Sequence, residues 1–276
     1  MAITVKTNTT ATNALKDLNQ TSRSLSRSFE RISSGQRIAR AADDAAGLGV
    51  AENLRRTSTS AAVAQRNTND GMSFIAVAEG ASSEVGNLLV RMRELAVQGA
   101  SETLDDDERA YVQSEFVALS TEVDRIAEVT EFNGQALTNG TLTDVNVQVG
   151  VNATANDQIA ITLGDLTTAT LGVDTGAVDM STAGGASLAL ASIDAAIETV
   201  SSYRASYGAT ENRLSSALNN LETFEQTTKE AESRIRDADF GAETATLSQN
   251  QILQQAGVSV LSQAKSINQS ALSLLQ

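Results

Sequence analysis

Residues 190–235 read LASIDAAIETVSSYRASYGATENRLSSALNNLETFEQTTKEAESRI. Taken in alternating steps of three and four, this stretch gives Leu190, Ile193, Ile197, Val200, Arg204, Tyr207, Glu211, Leu214, Ala217, Leu221, Phe224, Thr228, Ala231 and Ile235. Only Arg204, Glu211 and Thr228 among them are polar. An apolar seam recurring every 3.5 residues is what a helix needs if a neighbouring helix is to cover it along its length. One helix here is about 70 Å long at ~1.5 Å per residue. Such a rod requires other long helices, from the same polypeptide or from other copies. The inner seam is assigned to Leu190, Ile193, Ile197, Val200, Leu214, Leu221, Phe224 and Ile235.

The composition agrees with slender interhelical seams. The chain has 276 residues with aromatics at 3%, and it contains no proline, so nothing removes a backbone donor within a long helix. Histidine, cysteine and tryptophan are absent as well. A Ser-His-Asp triad, a cysteine nucleophile, the usual zinc sites and disulfides are thereby excluded. An enzyme that uses only carboxylates or lysine stays open on composition, but no catalytic residue, cofactor or metal site is assigned. The net charge is −14, which disfavours nucleic acid as a partner. Residues 1–40 carry Lys6, Lys16, Arg23, Arg27, Arg31, Arg37 and Arg40 against Asp17 and Glu30. Residues 244–276 have Lys265 as their one charge. The acidic excess therefore lies in 41–243, and the reading is that the ends pack while the middle faces solvent. No run approaches the ~18–20 apolar residues of a membrane span. Met1 to Gln20 shows no apolar signal core and no small-residue cleavage site, which implies a cytoplasmic protein or export by a route that reads no cleavable peptide.

Both ends repeat the rhythm. Leu15, Leu18, Ser22, Leu25, Phe29 and Ile32 alternate three and four before Ser33-Ser34-Gly35, where glycine can close a helix in the left-handed conformation. Leu253, Gly257, Val260, Ala264, Ile267, Ala271 and Leu274 do the same at the other end. Two seam-bearing helices at opposite ends can pair with each other. Each is short for stability alone in water, so both are expected to order only on association.

Between them, Asp43-Asp44 suits the positive end of a helix running to about Gly99, with weak points at Gly71, Gly80 and Gly86. Asp105-Asp106-Asp107-Glu108 starts a third helix that turns Val112, Phe116, Leu119, Val123 and Ile126 inward. These acids lack the glycine and ligand spacing of a calcium loop. Asn133-Gly134 and Asn139-Gly140 are turn dipeptides. Val145, Val147, Val149 and Val151 alternate with polar residues, and Ile159, Ile161 and Leu163 follow, which reads as a hairpin. Residues 164–186 are rich in Gly, Thr and Ala and read as a loose connection. The fold expected is mainly α, a long helical hairpin or coiled-coil bundle with a small β-hairpin region. Its divisions are 1–42 (a core helix pairing with 244–276), 43–186, 187–243 and 244–276.

With these residues in view, the sequence closely resembles bacterial flagellin. The N-terminal part carries Arg31-Ile32-Ser33-Ser34-Gly35, Asp43-Asp44-Ala45-Ala46-Gly47-Leu48, Arg66-Asn67-Thr68-Asn69-Asp70-Gly71, Arg93-Glu94-Leu95-Ala96-Val97-Gln98 and Phe132-Asn133-Gly134. The C-terminal part carries Glu211-Asn212-Arg213, Ser233-Arg234-Ile235-Arg236-Asp237-Ala238-Asp239-Phe240, Gln251-Ile252-Leu253-Gln254-Gln255-Ala256-Gly257 and Leu272-Ser273-Leu274-Leu275. The resemblance covers roughly 1–140 and 186–276. It departs at Gln36, where leucine is usual, and at Gln276, where arginine is frequent.

The resemblance implies a structural, non-enzymatic subunit that polymerises into the extracellular flagellar filament, a motility propeller. The alternative is a hook–filament junction (hook-associated) protein, whose termini are related. An embedded metalloprotease needs a His-Glu-x-x-His helix, which this histidine-free sequence lacks. The resemblance further implies termini in a coiled coil around a central channel, an inner helical domain around them, and large outer domains that are missing here. Type III export without a cleavable signal is implied too. Partners implied are copies of itself, sister flagellins, an export chaperone on about 240–276, the filament cap and hook-associated proteins, with no nucleic acid and no membrane. The self-assembly seams are assigned to Leu15, Leu18, Leu25, Phe29 and Ile32 with Leu253, Val260, Ala264, Ile267 and Leu274. The flagellin-sensing Toll-like receptor of animals is expected to contact Arg91, Leu95, Gln98 and Glu115.

Overall fold

The computed structural model describes residues 7–176 and 178–273, with side chains through Ser266. Leu274 and the side chains of Ile267 and Ala271 lie outside the described residues. The elements are α1 (Thr9–Ser34), α2 (Ala45–Gly99), α3 (Asp106–Val129), β1 (Glu131–Phe132), β2 (Gln135–Ala136), β3 (Asp144–Gln148), β4 (Gln158–Thr162), α4 (Thr168–Leu171), α5 (Ala183–Arg236) and α6 (Phe240–Ser273). They form two compact units, one of Ser58–Gln226 and the other of the remaining residues at both ends.

Within Ser58–Gln226, α2 and α5 run antiparallel. Arg93 meets Asp194 at 2.5 Å, Glu79 meets Arg204 at 3.2 Å and Gln65 meets Glu225 at 2.8 Å, so one helix descends as the other climbs. Their buried faces keep the three-four rhythm. On α2 these are Ala61, Ala64, Thr68, Ile75, Ala78, Ser82, Val85, Leu89, Met92 and Ala96. On α5 they are Ala186, Ala189, Ile193, Ala196, Val200, Tyr207, Thr210, Leu214 and Leu221.

One of the two strings expected on α5 is buried as read: Ile193, Val200, Leu214 and Leu221, with Tyr207 between them. The other lies one residue away. Ala189, Ala196 and Thr210 are buried where Leu190, Ile197 and Glu211 were expected to point inward. Leu190 and Ile197 pack half-buried on the flank, while Arg204 and Glu211 are exposed. The cause is steric. Small side chains let two helices approach closely, and the larger ones then ride beside the contact line. A straight helix also drifts by ~20° per heptad from a strict 3.5 repeat.

The remaining elements cover this pair. α3 opens with a reciprocal capping box, in which Asp105 accepts from the Glu108 amide and Glu108 accepts from that of Asp105. It buries Val112, Phe116, Val123 and Ala127 against α2 and α5. Leu119 and Ile126 are half-buried at its margin. The α2–α3 turn is tied by the buried Arg109, whose guanidinium donates to the carbonyls of Gly99, Ser101 and Leu104. β1 and β2 join through Asn133 (φ 51°) and Gly134 (φ 77°), the pair of positive values a two-residue type I′ turn demands. β3 and β4 form the expected hairpin, with Val145 opposite Ile161 and Val147 opposite Ile159.

That hairpin explains Gly71. A β-carbon there would lie 3.0 Å from Val147 Cγ2, whereas one at Gly80 meets nothing within 4 Å. α2 passes all three of its suspected weak points unbroken.

Residues 164–186 are not a loose connection. Leu166, Leu171, Val173, Val178 and Met180 are buried and close one side of the core. Their spacing follows no period, so no pattern announces them. Two carboxylates hold the segment. Asp124 of α3 accepts from Thr168 N and Oγ1, both at 2.8 Å. Asp165 accepts from Thr167 N (2.9 Å), Thr167 Oγ1 (2.8 Å) and Thr170 Oγ1 (2.6 Å). Burial pushes the Asp165 carboxyl up, but these hydrogen bonds outweigh it and hold its pKa below the usual value.

This packing sets the expected effect of three substitutions. Gly71→Val lowers stability by about 1–3 kcal/mol through overpacking against Val147, while Gly80→Ala raises it by about 0.5–1 kcal/mol. Urea unfolding of each variant checks both. A carboxyl with a depressed folded pKa contributes stability that is present above its unfolded value and lost as pH falls through its folded value. Asp165→Asn therefore lowers the melting temperature at neutral pH, and the difference from the parent protein shrinks as pH drops below about 4.

Candidate assembly surface

In the unit formed by the two ends of the polypeptide, α1 and α6 lie antiparallel. Asn8 caps α1 by accepting from Ala11 N (2.9 Å) and donates from Nδ2 to the Ala264 carbonyl (3.0 Å). At the other end Arg31 of α1 reaches Glu243 of α6 at 3.7 Å. Gly35 closes α1 in the left-handed conformation, φ 71°, as its position in the sequence requires. The connecting strands then cross. Arg37 N donates to Arg236 O (2.7 Å), Ala238 N donates to Gly35 O (2.9 Å), and the Arg37 guanidinium donates to Ile235 O. Gln36 takes part in this bridge opposite Asp237. Ile38 is buried beside it, and Asp44 caps α2 by accepting from Gly47 N at 2.8 Å.

What the two helices hide from solvent is modest. α6 turns Glu243, Leu247, Asn250, Gln254, Gly257, Leu261 and Ala264 toward its partner, again in steps of four and three. Most of these are small or polar. α1 answers with Ala11, Ala14, Leu18, Thr21, Leu25, Ser28 and Ile32, of which only Ser28 is buried. Gly257 permits close contact, since a β-carbon there would stand 3.3 Å from Leu18 Cδ1.

The expected assembly residues divide accordingly. Leu18, Leu25 and Ile32 are half-covered, and Ala264 is buried. Leu15 (48% exposed), Phe29 (51%), Leu253 (48%) and Val260 (53%) face outward. Ile252 and Val258 join them, although the sequence seam passed over both. Ile267 and Leu274 fall outside the described side chains. Of the inner-seam residues, Phe224 is exposed and Ile235 half-buried.

The other expected contact site lies on α2 and α3. Arg91 donates to Glu115 Oε1 from NH2 (2.7 Å) and Nε (3.0 Å), and to Glu94 at 2.8 Å. Glu115 first, then Glu94, push the Arg91 pKa further above its ordinary value. Gln98 is exposed. Leu95, at 2% exposure, belongs to the core instead. It underlies a shallow depression of about 370 Å³ that Gln98, Glu115 and the exposed Tyr111 also line.

Among the described residues no group of three or more His, Cys, Asp or Glu side chains is placed to hold a metal, and no helix is long and apolar enough to cross a membrane.

An arm of two helices that leaves Leu15, Phe29, Ile252, Leu253, Val258 and Val260 outside, on a chain whose other unit is a well-packed helical bundle, is the surface expected of a structural subunit. Known proteins agree. The Bacterial flagellin N-terminal helical region matches residues 5–143, and the Bacterial flagellin C-terminal helical region matches residues 190–275. Flagellin A of Vibrio cholerae serotype O1 is 33% identical over an alignment that includes 100% of both sequences. A flagellin of Halalkalibacterium halodurans is 39% identical over 250 residues, 91% of each sequence. Among solved structures, the crystal structure of Bacillus cereus flagellin is similar with a TM-score of 0.50 and 31% identity, spanning 56% of this protein and 88% of that one. The chain belongs to the bacterial flagellin family, the non-enzymatic subunits that polymerise into the extracellular flagellar filament of motility. The alignment with the Vibrio cholerae relative spans 380 positions, more than the 276 residues present here, so that relative carries segments this protein lacks.

Proposed function

We propose that the α1/α6 arm is the assembly element of this flagellin, and that Leu15, Leu18, Leu25, Phe29, Ile32, Leu253, Val260, Ala264, Ile267 and Leu274 form contacts between subunits. The outward placement of Leu15, Phe29, Leu253 and Val260 carries this reading. Burial of apolar surface contributes about 25 cal/mol per Å², and a subunit arriving at a filament tip meets neighbours on several sides. That burial then exceeds the entropy of fixing the arm. Such contacts are heterologous and propagate into a helical tube. In this reading 1–42 and 244–276 form the innermost layer, 43–186 and 187–243 surround it, and the acidic middle keeps the tubes soluble.

The same surface suits the expected helpers. An export chaperone over about 240–276 shields Ile252, Leu253, Val258 and Val260 before assembly. The cap, hook-associated proteins and sister flagellins meet the arm at the filament's ends and along it. Animal Toll-like receptor contact falls to Arg91, Gln98 and Glu115, with Leu95 holding that surface from beneath.

Deleting residues 1–35 or 245–276 yields a soluble helical monomer that no longer polymerises, and Leu253→Ser with Val260→Ser slows polymerisation while leaving monomer helicity unchanged. Seeded growth followed by electron microscopy decides, and filaments from both truncations would refute the reading. For the receptor, Arg91→Ala and Glu115→Ala reduce activation of a reporter cell line without altering the monomer's melting temperature. Leu95→Ala lowers the melting temperature together with activation. A parent monomer that never activates the reporter ends the proposal.

A further inference from the structure

Two Asn-Gly dipeptides lie a few residues apart in the sequence, and the fold treats them oppositely. Asn139 is held: its Oδ1 accepts from Thr141 Oγ1 (2.6 Å) and Thr141 N (3.1 Å). Its glycine, although exposed, has the Asp165 carboxylate beside it, since a β-carbon on Gly140 would stand 2.5 Å from Asp165 Oδ2. Asn133 is exposed, and its amide group has no hydrogen bond among the described residues. Gly134 stands in open space, with nothing within 4 Å of where a β-carbon would be. Asn133 is also the only non-glycine residue with positive φ among the described residues, fixed at 51° by the two-residue turn.

We propose that Asn133 is a site of spontaneous deamidation in the folded protein, and that Asn139 is protected. The chemistry needs only water. The Gly134 backbone nitrogen, losing its proton, attacks Asn133 Cγ. A C–N bond forms to close a cyclic imide, and the bond from Cγ to Nδ2 breaks as ammonia leaves with the proton. Water then opens the imide at one carbonyl to give aspartate, or at the other to give isoaspartate. A free amide on the first residue and a following residue without a β-carbon remove the two obstacles to that attack. Asn139-Gly140 also has a following residue without a β-carbon, but its Asn139 amide is engaged by Thr141 and the Asp165 carboxylate stands close beside Gly140.

The products differ physically. Aspartate tolerates the left-handed conformation and keeps the turn, adding one negative charge at its tip. Isoaspartate lengthens the backbone by one carbon and breaks the pairing of Phe132 with Gln135.

Ageing the purified full-length protein in mildly alkaline buffer, followed by peptide mass spectrometry that resolves the two sites, tests this. In the folded protein Asn133 converts several-fold faster than Asn139, yielding both products, and the difference disappears in the urea-unfolded protein. Thr141→Val, which frees one hold on Asn139, speeds conversion at Asn139 alone. Equal rates in the folded protein, Asn139 converting first, or an unchanged Asn133 while the unfolded protein converts would each overturn the assignment.

Discussion

A helix packed against a single neighbour can hide only one narrow face, and that constraint separates the two halves of this molecule. In Ser58–Gln226 the long pair α2 and α5 is also covered by α3, two hairpins and the 164–180 segment. There Ile193, Leu214, Val85 and Phe116 reach zero exposure. Among the described residues of the arm, α1 and α6 mainly cover each other, so Ala264 and Ser28 are buried while Leu253 and Phe29 stay in water. The amino acids are of similar kinds in both places. What differs is the number of neighbours each helix has.

This difference ties fold to function through free energy. In the proposed reading, a partly covered pair of helices gains too little burial to offset the ordering of its residues, and its stability rises when more neighbours arrive. The ion pairs of the arm add little, since Arg40 with Glu30 is solvated and Arg31 stands 3.7 Å from Glu243. Apolar contact with other subunits is the remaining large contribution. Unlike a ligand site, such a surface needs no exact polar constellation, which agrees with a family whose members polymerise and catalyse nothing.

The sequence revealed much of this because heptad spacing survives translation into structure. The string Ile193, Val200, Tyr207, Leu214 and Leu221 is buried as its period requires. The Asp105–Glu108 cap, the Gly35 stop and the β3–β4 alternation also appear where short-range chemistry places them. Reading failed where small residues do the packing. Preference for large side groups selects Leu190 over Ala189 and Ile197 over Ala196, so the contact line on α5 falls one residue off. Arg204 and Glu211 within the proposed seam were the signal that the line was misplaced. The 164–180 segment stayed illegible because Leu166, Leu171, Val173 and Met180 follow no period. Its anchors, Asp124 and Asp165, act through contacts that only the folded state brings together.

Amide hydrogen exchange compared between dilute monomer and assembled filament tests the dependence of the arm on its neighbours most directly. Amides of α1 and α6 should exchange rapidly in the monomer, while the buried stretches of α2 and α5 stay protected, and assembly should slow exchange along all four helices. Equal protection of α1 and α6 in the two states would contradict the claim that the arm is completed by other subunits.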